Sequence, residues 1–334
     1  MNFAFPQGLK PRRFCELYVR AEARTLRNDP LPPCLGSTTA LDADVDSQRR
    51  RRYKRASRGG LPVNPVGQAE SDASDYREFR APLPLAEHVF CFWTQAIGSH
   101  GEFAQRVLPD GCVDFILMNG VPMVIGPWTG AYVAALAPGT KIIGARCHPG
   151  AASSLLGMPA SELLNQSVPL CDVWSRANAD RFARIAGEPS LAAQFLSMEA
   201  ALLGRVNGAG PVDKATRAAI RWIARHPHGR IEQLSELLGL SGRQVQRRFT
   251  MAVGYGPKLF QSVLRFQRLL HFAARAADRW SLAGFAADAE YADQAHMTRE
   301  VQRFSGDSPG ASLKSSRCAL RLSSLIQHAD GPGH

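Results

Sequence analysis

Hydrophobic residues follow two different patterns along the chain. Between residues 80 and 175 they form short apolar runs separated by Gly, Pro and Asn, and the runs at 112–118 and 121–125 flank Asn119-Gly120. This dipeptide between apolar runs predicts a two-residue β-hairpin turn, and the spacing of the runs indicates a mostly β domain. From residue 150 onward the apolar positions take a helical spacing, and residues 212–317 are predicted to be helical throughout.

The same patterns divide the chain into four parts. We expect a disordered basic tail over residues 1–78 and a β-rich sensory or dimerisation domain with trailing helices over 79–207. A break containing Gly and Pro then precedes an all-α domain over 212–317, and residues 318–334 form a second tail.

An internal repeat lies within the all-α domain. Five positions recur at a constant offset, as Gln246, Arg247, Phe249, Gly254 and Pro257 in the first copy and as Thr298, Arg299, Val301, Gly306 and Pro309 in the second. Each copy has the pattern of a helix-turn-helix, with Ser241 or Asp293 as the residue that caps the second helix. The second helix of each copy is called its reading helix below.

The first reading helix is predicted to bury one side and expose the other. Val245 and Phe249 are four residues apart and share a face, whereas Arg243, Gln246 and Arg247 lie opposite. Arg can bind the O6 and N7 atoms of guanine with two hydrogen bonds, and Gln can do the same on adenine. These residue types on an exposed helix therefore predict base reading in the major groove.

The second reading helix shows the same division. Met297 and Val301 are predicted to be buried, and the outward positions are Gln294, Ala295, Thr298 and Arg299. Ala295 is small enough to contact a thymine methyl group. His296 is interpreted as a surface histidine in preference to a base reader. A long helix over residues 257–277 is predicted to separate the two units, so that one chain reads two major-groove segments about 34 Å apart.

Charge supports a polyanionic partner for the all-α domain. Residues 211–317 hold 17 Lys and Arg against 9 Asp and Glu, whereas residues 81–210 hold 7 against 9. A basic domain next to a nearly neutral one is typical of nucleic-acid binding, although a basic solvated surface has the same composition.

The residues of the repeat resemble the AraC/XylS family of transcriptional regulators. The likeness covers residues 230–315 and is carried by the segments 234–241, 246–249, 265–269 and 291–299, with Gly306 and Pro309. It implies that Arg243, Gln246 and Arg247 contact bases from the first reading helix. It implies the same role for Gln294, Ala295, Thr298 and Arg299 in the second.

The middle region resembles the N-terminal domain of a subset of these regulators. The matching segments are 108–114, 125–127, 144–152 and 156–160. The resemblance implies a cupin-like sensory or dimerisation module. The expected fold class is therefore α+β, with a β-rich, cupin-like domain followed by an all-α domain that contains two helix-turn-helix units.

Three functions remain open at this point. In the first, an effector bound to the β-rich domain alters DNA binding, with Asp110 and Asp114 as candidate polar groups, although a role in capping turns is favoured for both. In the second, the chain is a DNA repair enzyme with a reactive cysteine, for which Cys147 between Arg146 and His148 is the better setting. In the third, the chain organises DNA with little sequence preference.

The first function is preferred, so we expect a regulator, specifically an activator, and not an enzyme. Double-stranded DNA is the expected partner, and a small-molecule effector, RNA polymerase and a second copy of the chain are further candidates. Seven scattered cysteines without a C-x-x-C pair indicate reduced thiols, so no metal and no cofactor are expected. The lack of a long apolar run predicts a cytoplasmic protein that does not bind membranes.

Overall fold

The computed structural model describes residues 74–101, 103–208, 212–275, 284–286, 289 and 291–313. The tail predicted over 318–334 and residues 1–73 of the tail predicted over 1–78 lie outside this part of the chain. The first strand begins at Ser74. The β-rich domain therefore starts before the boundary predicted at residue 79, and residues 74–78 are strand rather than tail.

Eight strands form the β-rich domain. They are β1 Ser74–Arg80, β2 Val89–Ile97, β3 Phe103–Val107, β4 Asp114–Met118, β5 Val121–Ile125, β6 Tyr132–Leu136, β7 Lys141–Cys147 and β8 Ser167–Pro169. Six of them make an antiparallel sheet in the order β1-β2-β7-β4-β5-β8, and β3 and β6 pair with each other in a second sheet. The hairpin predicted at Asn119-Gly120 joins β4 to β5, with positive φ angles of 48° and 81° at the two turn residues.

The larger sheet is buried on both faces. Alternate residues of β7 divide between them, so that Ala145 lies in the core beneath the helices and Ile142 lies in the core on the opposite face. Trp93 packs on the second face against its cross-strand partner Gly144, where a Cβ atom would come within 2.6 Å of the indole ring. The position of the Trp93 ring therefore depends on a glycine at position 144.

Helices cover the first face of the sheet. They are the α-helices α1 Ala152–Leu156, α2 Arg176–Ala183 and α3 Leu191–Asn207, together with 3-10 turns at Leu83–Leu85, Ala160–Leu163, Leu170–Asp172 and Arg184–Gly187. Trp174 is the largest fully buried side chain here, and its indole N–H donates to the carbonyl oxygen of Leu155 at 3.0 Å. This hydrogen bond satisfies the polar atom of an otherwise apolar layer.

The C-terminal domain is helical, as expected. Its helices are α4 Lys214–Arg225, α5 Gln233–Leu238, α6 Gly242–Val253, α7 Pro257–Arg275 and α8 Gln294–Ser305, and residues 284–286 are also helical. The long helix α7 buries Phe260, Val263, Phe266 and Leu269 completely, whereas Leu259 of the predicted apolar stripe is only half-buried. A β-rich domain followed by an all-α domain is thus confirmed.

The two domains pack tightly against each other. Helix α3 ends at Asn207 and α4 begins at Lys214. Leu108 and Leu164 of the β-rich domain nevertheless pack into the core of the C-terminal domain. The amide group of Gln267 on α7 donates to the carbonyl oxygen of Pro109 at 2.6 Å. No helix within the described residues is long and apolar enough to cross a membrane.

Candidate nucleic-acid interface

The first reading helix, α6, begins and ends at well-defined capping residues. Helix α5 stops at Gly239 with a φ of 61°, and Ser241 then caps α6. The Ser241 hydroxyl accepts from the amide of Gln244 at 3.3 Å, and the Gln244 side chain accepts from the Ser241 amide at 2.9 Å. This reciprocal capping box fixes the first turn of α6 and therefore the direction of the helix axis.

One side of α6 is anchored in the core and the opposite side is exposed. Val245 and Phe249 are 5% and 1% exposed, as their spacing predicts. Arg243 and Arg247 are exposed and line an open cleft with Ser241 and Gln244 at the start of the helix. Within the described residues neither arginine has an ion-pair partner, so both guanidinium groups can bind a ligand.

Gln246 is exposed but does not extend away from the helix. Its amide donates to the Thr250 hydroxyl at 3.3 Å and lies against Gly256, where a Cβ atom would come within 2.4 Å of the amide nitrogen. Gly256 therefore provides the space that this side chain occupies. To reach a base edge, Gln246 must exchange the contact with Thr250 for one with DNA.

The second reading helix, α8, repeats this construction. Asp293 caps it by accepting from the amide of His296 at 2.6 Å, and Gly306 ends it with a φ of 75°, as Gly254 ends α6 with a φ of 103°. The offset between caps is the one seen in the sequence, since Ser241 and Asp293 occupy equivalent positions. The repeat therefore extends from the sequence to both ends of both helices.

The outward residues of α8 differ in their availability. Met297 and Val301 are fully buried, and Gln294, Ala295 and Arg299 are exposed. Thr298 is half-buried rather than exposed, and its hydroxyl donates to the carbonyl oxygen of Gln294 at 2.8 Å. The donor of Thr298 is thus used within the helix, which leaves its oxygen lone pairs and its methyl group for DNA.

A buried ion pair attaches α8 to the long helix α7. The Glu300 carboxylate accepts from Nε and Nη2 of Arg265 at 3.2 and 3.1 Å, and both side chains are about nine-tenths buried. Arg265 also lies over the ring of Tyr291, 5.5 Å from its centroid, and donates to the carbonyl oxygen of Pro227 at 3.3 Å. One side chain therefore binds α8, α7 and the segment that follows α4.

His296 packs beside this ion pair. Its ring meets Tyr291 edge-on at 5.4 Å, and its Nε2 lies 3.6 Å from Oε1 of Glu300. The histidine is half-buried. The structure therefore places His296 against Tyr291 and Glu300, whereas the sequence indicated a surface residue.

The long helix α7, which links the two helix-turn-helix units, is also bound to the end of α4 and to the segment after it. Gln261 donates to the carbonyl oxygens of His226 and Gly229 at 3.3 and 2.8 Å, and Arg268 donates to that of Ala224. The Ala224 carbonyl lies in the last turn of α4, where carbonyl groups have no intrahelical donor, so Arg268 satisfies it. Nothing in the spacing of Gln261 and Arg268 indicated this role, because their partners lie outside the repeat.

The two carboxylates proposed as an effector site, Asp110 and Asp114, both lie near the guanidinium group of Arg146. Asp110 accepts from the amide of Cys112 at 2.8 Å, which is the turn-capping role that the sequence favoured. Asp114 accepts from Nε and Nη2 of Arg146 at 3.1 and 3.0 Å. Burial raises the pKa of Asp110, and the nearby Arg146 opposes that shift. Asp114 and Arg146 are therefore already paired in this structure.

Cys147 is a core residue of the β-rich domain. It is 0% exposed, and burial raises the pKa of its thiol well above the usual value. Cys112 is also buried, with its pKa raised for the same reason. Among the described residues, no group of three or more His, Cys, Asp or Glu side chains is placed to hold a metal ion.

Two family models match the chain, one in each domain. Residues 234–315 match the model of a helix-turn-helix domain. The C-terminal domain is an AraC-type helix-turn-helix domain. The chain carrying it is a DNA-binding transcriptional regulator. Residues 77–169, in the β-rich domain, match a model described as a domain of unknown function, DUF6597.

The solved structures that match this chain include ToxT from Vibrio cholerae. One ToxT structure is 6% identical, covers 76% of this chain and 100% of its own, and has a TM-score of 0.37. Another, solved with an unsaturated fatty acid bound, is 8% identical, covers 74% of this chain and 97% of its own, and has a TM-score of 0.35. A search of curated proteins finds no relative with significant sequence similarity. The assignment of the AraC-type domain rests on the family match.

Proposed function

We propose that this regulator reads two successive major-groove segments of DNA with α6 and α8. Arg243, Gln246 and Arg247 contact bases from α6. The residues of α8 that contact bases are Gln294, Ala295, Thr298 and Arg299. The observation that carries the proposal is the shared construction of the two helices, each with one side in a common core and its polar side exposed.

The continuous helix α7 supports reading by both units. It runs without a break from Pro257 to Arg275 and contributes buried residues to the core that holds α6 and α8. A 19-residue helix is about 28 Å long at about 1.5 Å per residue, which is comparable to the length of one turn of B-DNA. A helix of this length would suit two reading helices that meet successive major-groove segments on one side of a duplex.

The test is binding of the full chain to a duplex that it selects from random DNA. Arg247→Ala is expected to weaken binding to the selected duplex by about 1–3 kcal/mol, and to weaken binding to a scrambled duplex much less. Arg181→Ala is the matched control, because this exposed arginine on α2 carries the same charge in the other domain.

Two outcomes would contradict the proposal. Equal loss on both duplexes would mean that Arg247 contacts only phosphate, and equal affinity of the wild type for both would favour a DNA-organising protein. Binding that does not weaken with salt would also contradict it, because phosphate contacts release counterions.

We propose further that the protein acts without catalysis and that an effector works through the β-rich domain. Burial of Cys147 supports the first point, since a nucleophilic cysteine needs an accessible thiolate. The contacts of the β-rich domain with the C-terminal domain support the second. Activation, contact with RNA polymerase, dimerisation and a cytoplasmic location stay predictions.

A further inference from the structure

Both reading helices end against the β-rich domain. The last carbonyl groups of an α-helix have no intrahelical donor and need a partner. At the end of α6, the hydroxyl of Ser153 donates to the carbonyl oxygens of Met251 and Ala252, at 3.1 and 3.3 Å. At the end of α8, Arg106 donates to the carbonyl oxygen of Ser305 at 3.3 Å. One domain thus supplies a donor to the C-terminal end of each reading helix.

Close packing accompanies both hydrogen bonds. Gly254, which ends α6, lies so near Pro127 that an added Cβ atom would come within 2.4 Å of the proline ring. At the end of α8, Arg106 also forms an ion pair with Asp307, just beyond the helix. Its guanidinium group therefore holds both the helix and the turn that follows.

A third contact lies between these two. The loop that precedes β4 packs on the linker helix α7, where Gln267 donates to the carbonyl oxygen of Pro109. Gly111 in the same loop has a φ of 81° and lies against the ring of Phe260. The β-rich domain therefore touches α6, α7 and α8, which are the three elements that determine where the two reading surfaces stand.

The contacts support the helices and leave the reading surface uncovered. They lie at the C-terminal ends, whereas Arg243 and Gln294 occupy the first turns. A 12-residue helix is about 18 Å long, so the two ends are well separated. Arg247 and Arg299 are exposed while the contacts are made. A contact that masked the reading residues would bury them instead.

We propose that the β-rich domain fixes the distance between the two reading helices, with Ser153 and Arg106 as positioning residues. The full chain then accepts two half-sites at one spacing only. A change of one base pair moves a half-site by about 3.4 Å and rotates it by about 34° around the duplex axis, since one turn has 10–10.5 base pairs over about 34 Å. The inference rests on the proposed function, because it concerns the spacing at which two reading helices bind.

The test compares the DNA that full-length variants select from a random library. The variants are Arg106→Ala, Ser153→Ala and the two together. Ser154→Ala is the matched control for Ser153, because the neighbouring Ser154 hydroxyl donates to the Ala151 carbonyl oxygen within its own domain. Arg77→Ala is the control for Arg106, because its only ion pair among the described residues joins it to Asp75 on the same strand, where both side chains are exposed.

The wild type and both controls are expected to select two half-sites at a single spacing. The double variant is expected to select the same half-sites at several neighbouring spacings. On defined duplexes, its preference for the original spacing over one longer by a base pair should fall by at least about fivefold, the factor that corresponds to one hydrogen bond. Thermal unfolding of each variant shows that the change is not due to a loss of fold.

Each other outcome contradicts one or both of the two proposals. A double variant that keeps the single spacing overturns the proposal that Ser153 and Arg106 fix the spacing. A double variant that binds more tightly at every spacing also overturns it, because the contact between the domains would then be inhibitory. A wild type that selects only one half-site contradicts both the fixed spacing and the proposal that α6 and α8 each read a DNA segment. A wild type that selects no sequence overturns the proposed function itself.

Discussion

Replacing Glu300 by Gln removes one charge from the ion pair between α7 and α8 and leaves the shape of the side chain almost unchanged. Both side chains of the pair are about nine-tenths buried, at 11% exposure for Arg265 and 10% for Glu300. Removing one partner from a buried pair costs about 3–5 kcal/mol, because the remaining charge loses its compensation. Arg265 keeps hydrogen bonds to Pro227 and Ser262, so we expect a loss near the lower limit, about 3 kcal/mol.

The assay is urea denaturation of the full chain, followed by helical circular dichroism. Arg265→Met and Glu300→Leu should each be at least as costly as Glu300→Gln, whereas the two changes together should cost less than the sum of Arg265→Met and Glu300→Leu measured singly. The control is Arg248→Met in the exposed pair with Asp213, where the two side chains are 46% and 31% exposed. An exposed pair contributes about 0–1 kcal/mol.

The prediction is tested by comparing the loss of unfolding free energy in Glu300→Gln, at the buried pair, with that in Arg248→Met, at the exposed pair. If Glu300→Gln costs no more than Arg248→Met, the Arg265 pair is solvated in the protein and does not hold α8 in place. If the costs of the single changes simply add in the double variant, the two side chains do not interact energetically, and the same reasoning is refuted.

Three further predictions concern the β-rich domain. Gly111→Ala should destabilise the protein by about 1–3 kcal/mol more than Gly139→Ala. Both positions have a positive φ, but only at Gly111 would the added Cβ atom lie against Phe260, at 2.8 Å. Equal melting temperatures of the two variants would contradict this. Cys147 should resist alkylation in the native protein and react after unfolding, because its buried thiol stays protonated; rapid native labelling, read by mass spectrometry, would show otherwise. Burial raises the pKa of Cys91 from 9.0 to about 12. Between these pH values the folded state keeps a proton that the unfolded state loses, so the free energy of unfolding should fall as pH rises. Cys91→Ala should reduce this pH dependence, measured by urea titrations at several pH values.

The reading helices were predictable because the forces that define them are local. A helical period of 3.6 residues places Val245 and Phe249 on one face and Arg243 and Arg247 on another, whatever else the chain does. Capping by Ser241 and Asp293 depends only on neighbouring amides, so the sequence predicted where both helices begin. The hairpin at Asn119-Gly120 was predictable for the same reason.

The tertiary structure decided what holds the reading helices and how available each residue is. Arg265 and Glu300 are 35 residues apart, and Arg106 and Asp307 are 201 apart, so no local pattern relates them. Thr298 uses its hydroxyl donor within its own helix, which periodicity cannot show.

The segments at 108–114 and 125–127 show the difference between what the sequence determines and what only the tertiary structure determines. Their residues identified the β-rich domain by resemblance, and only the folded chain shows that Pro109 and Pro127 contact the C-terminal domain. Secondary structure follows from interactions within a few residues, which a sequence displays directly. The contact between the domains depends on the tertiary arrangement, because the residues that meet there, such as Pro109 and Gln267, are 158 positions apart in the chain.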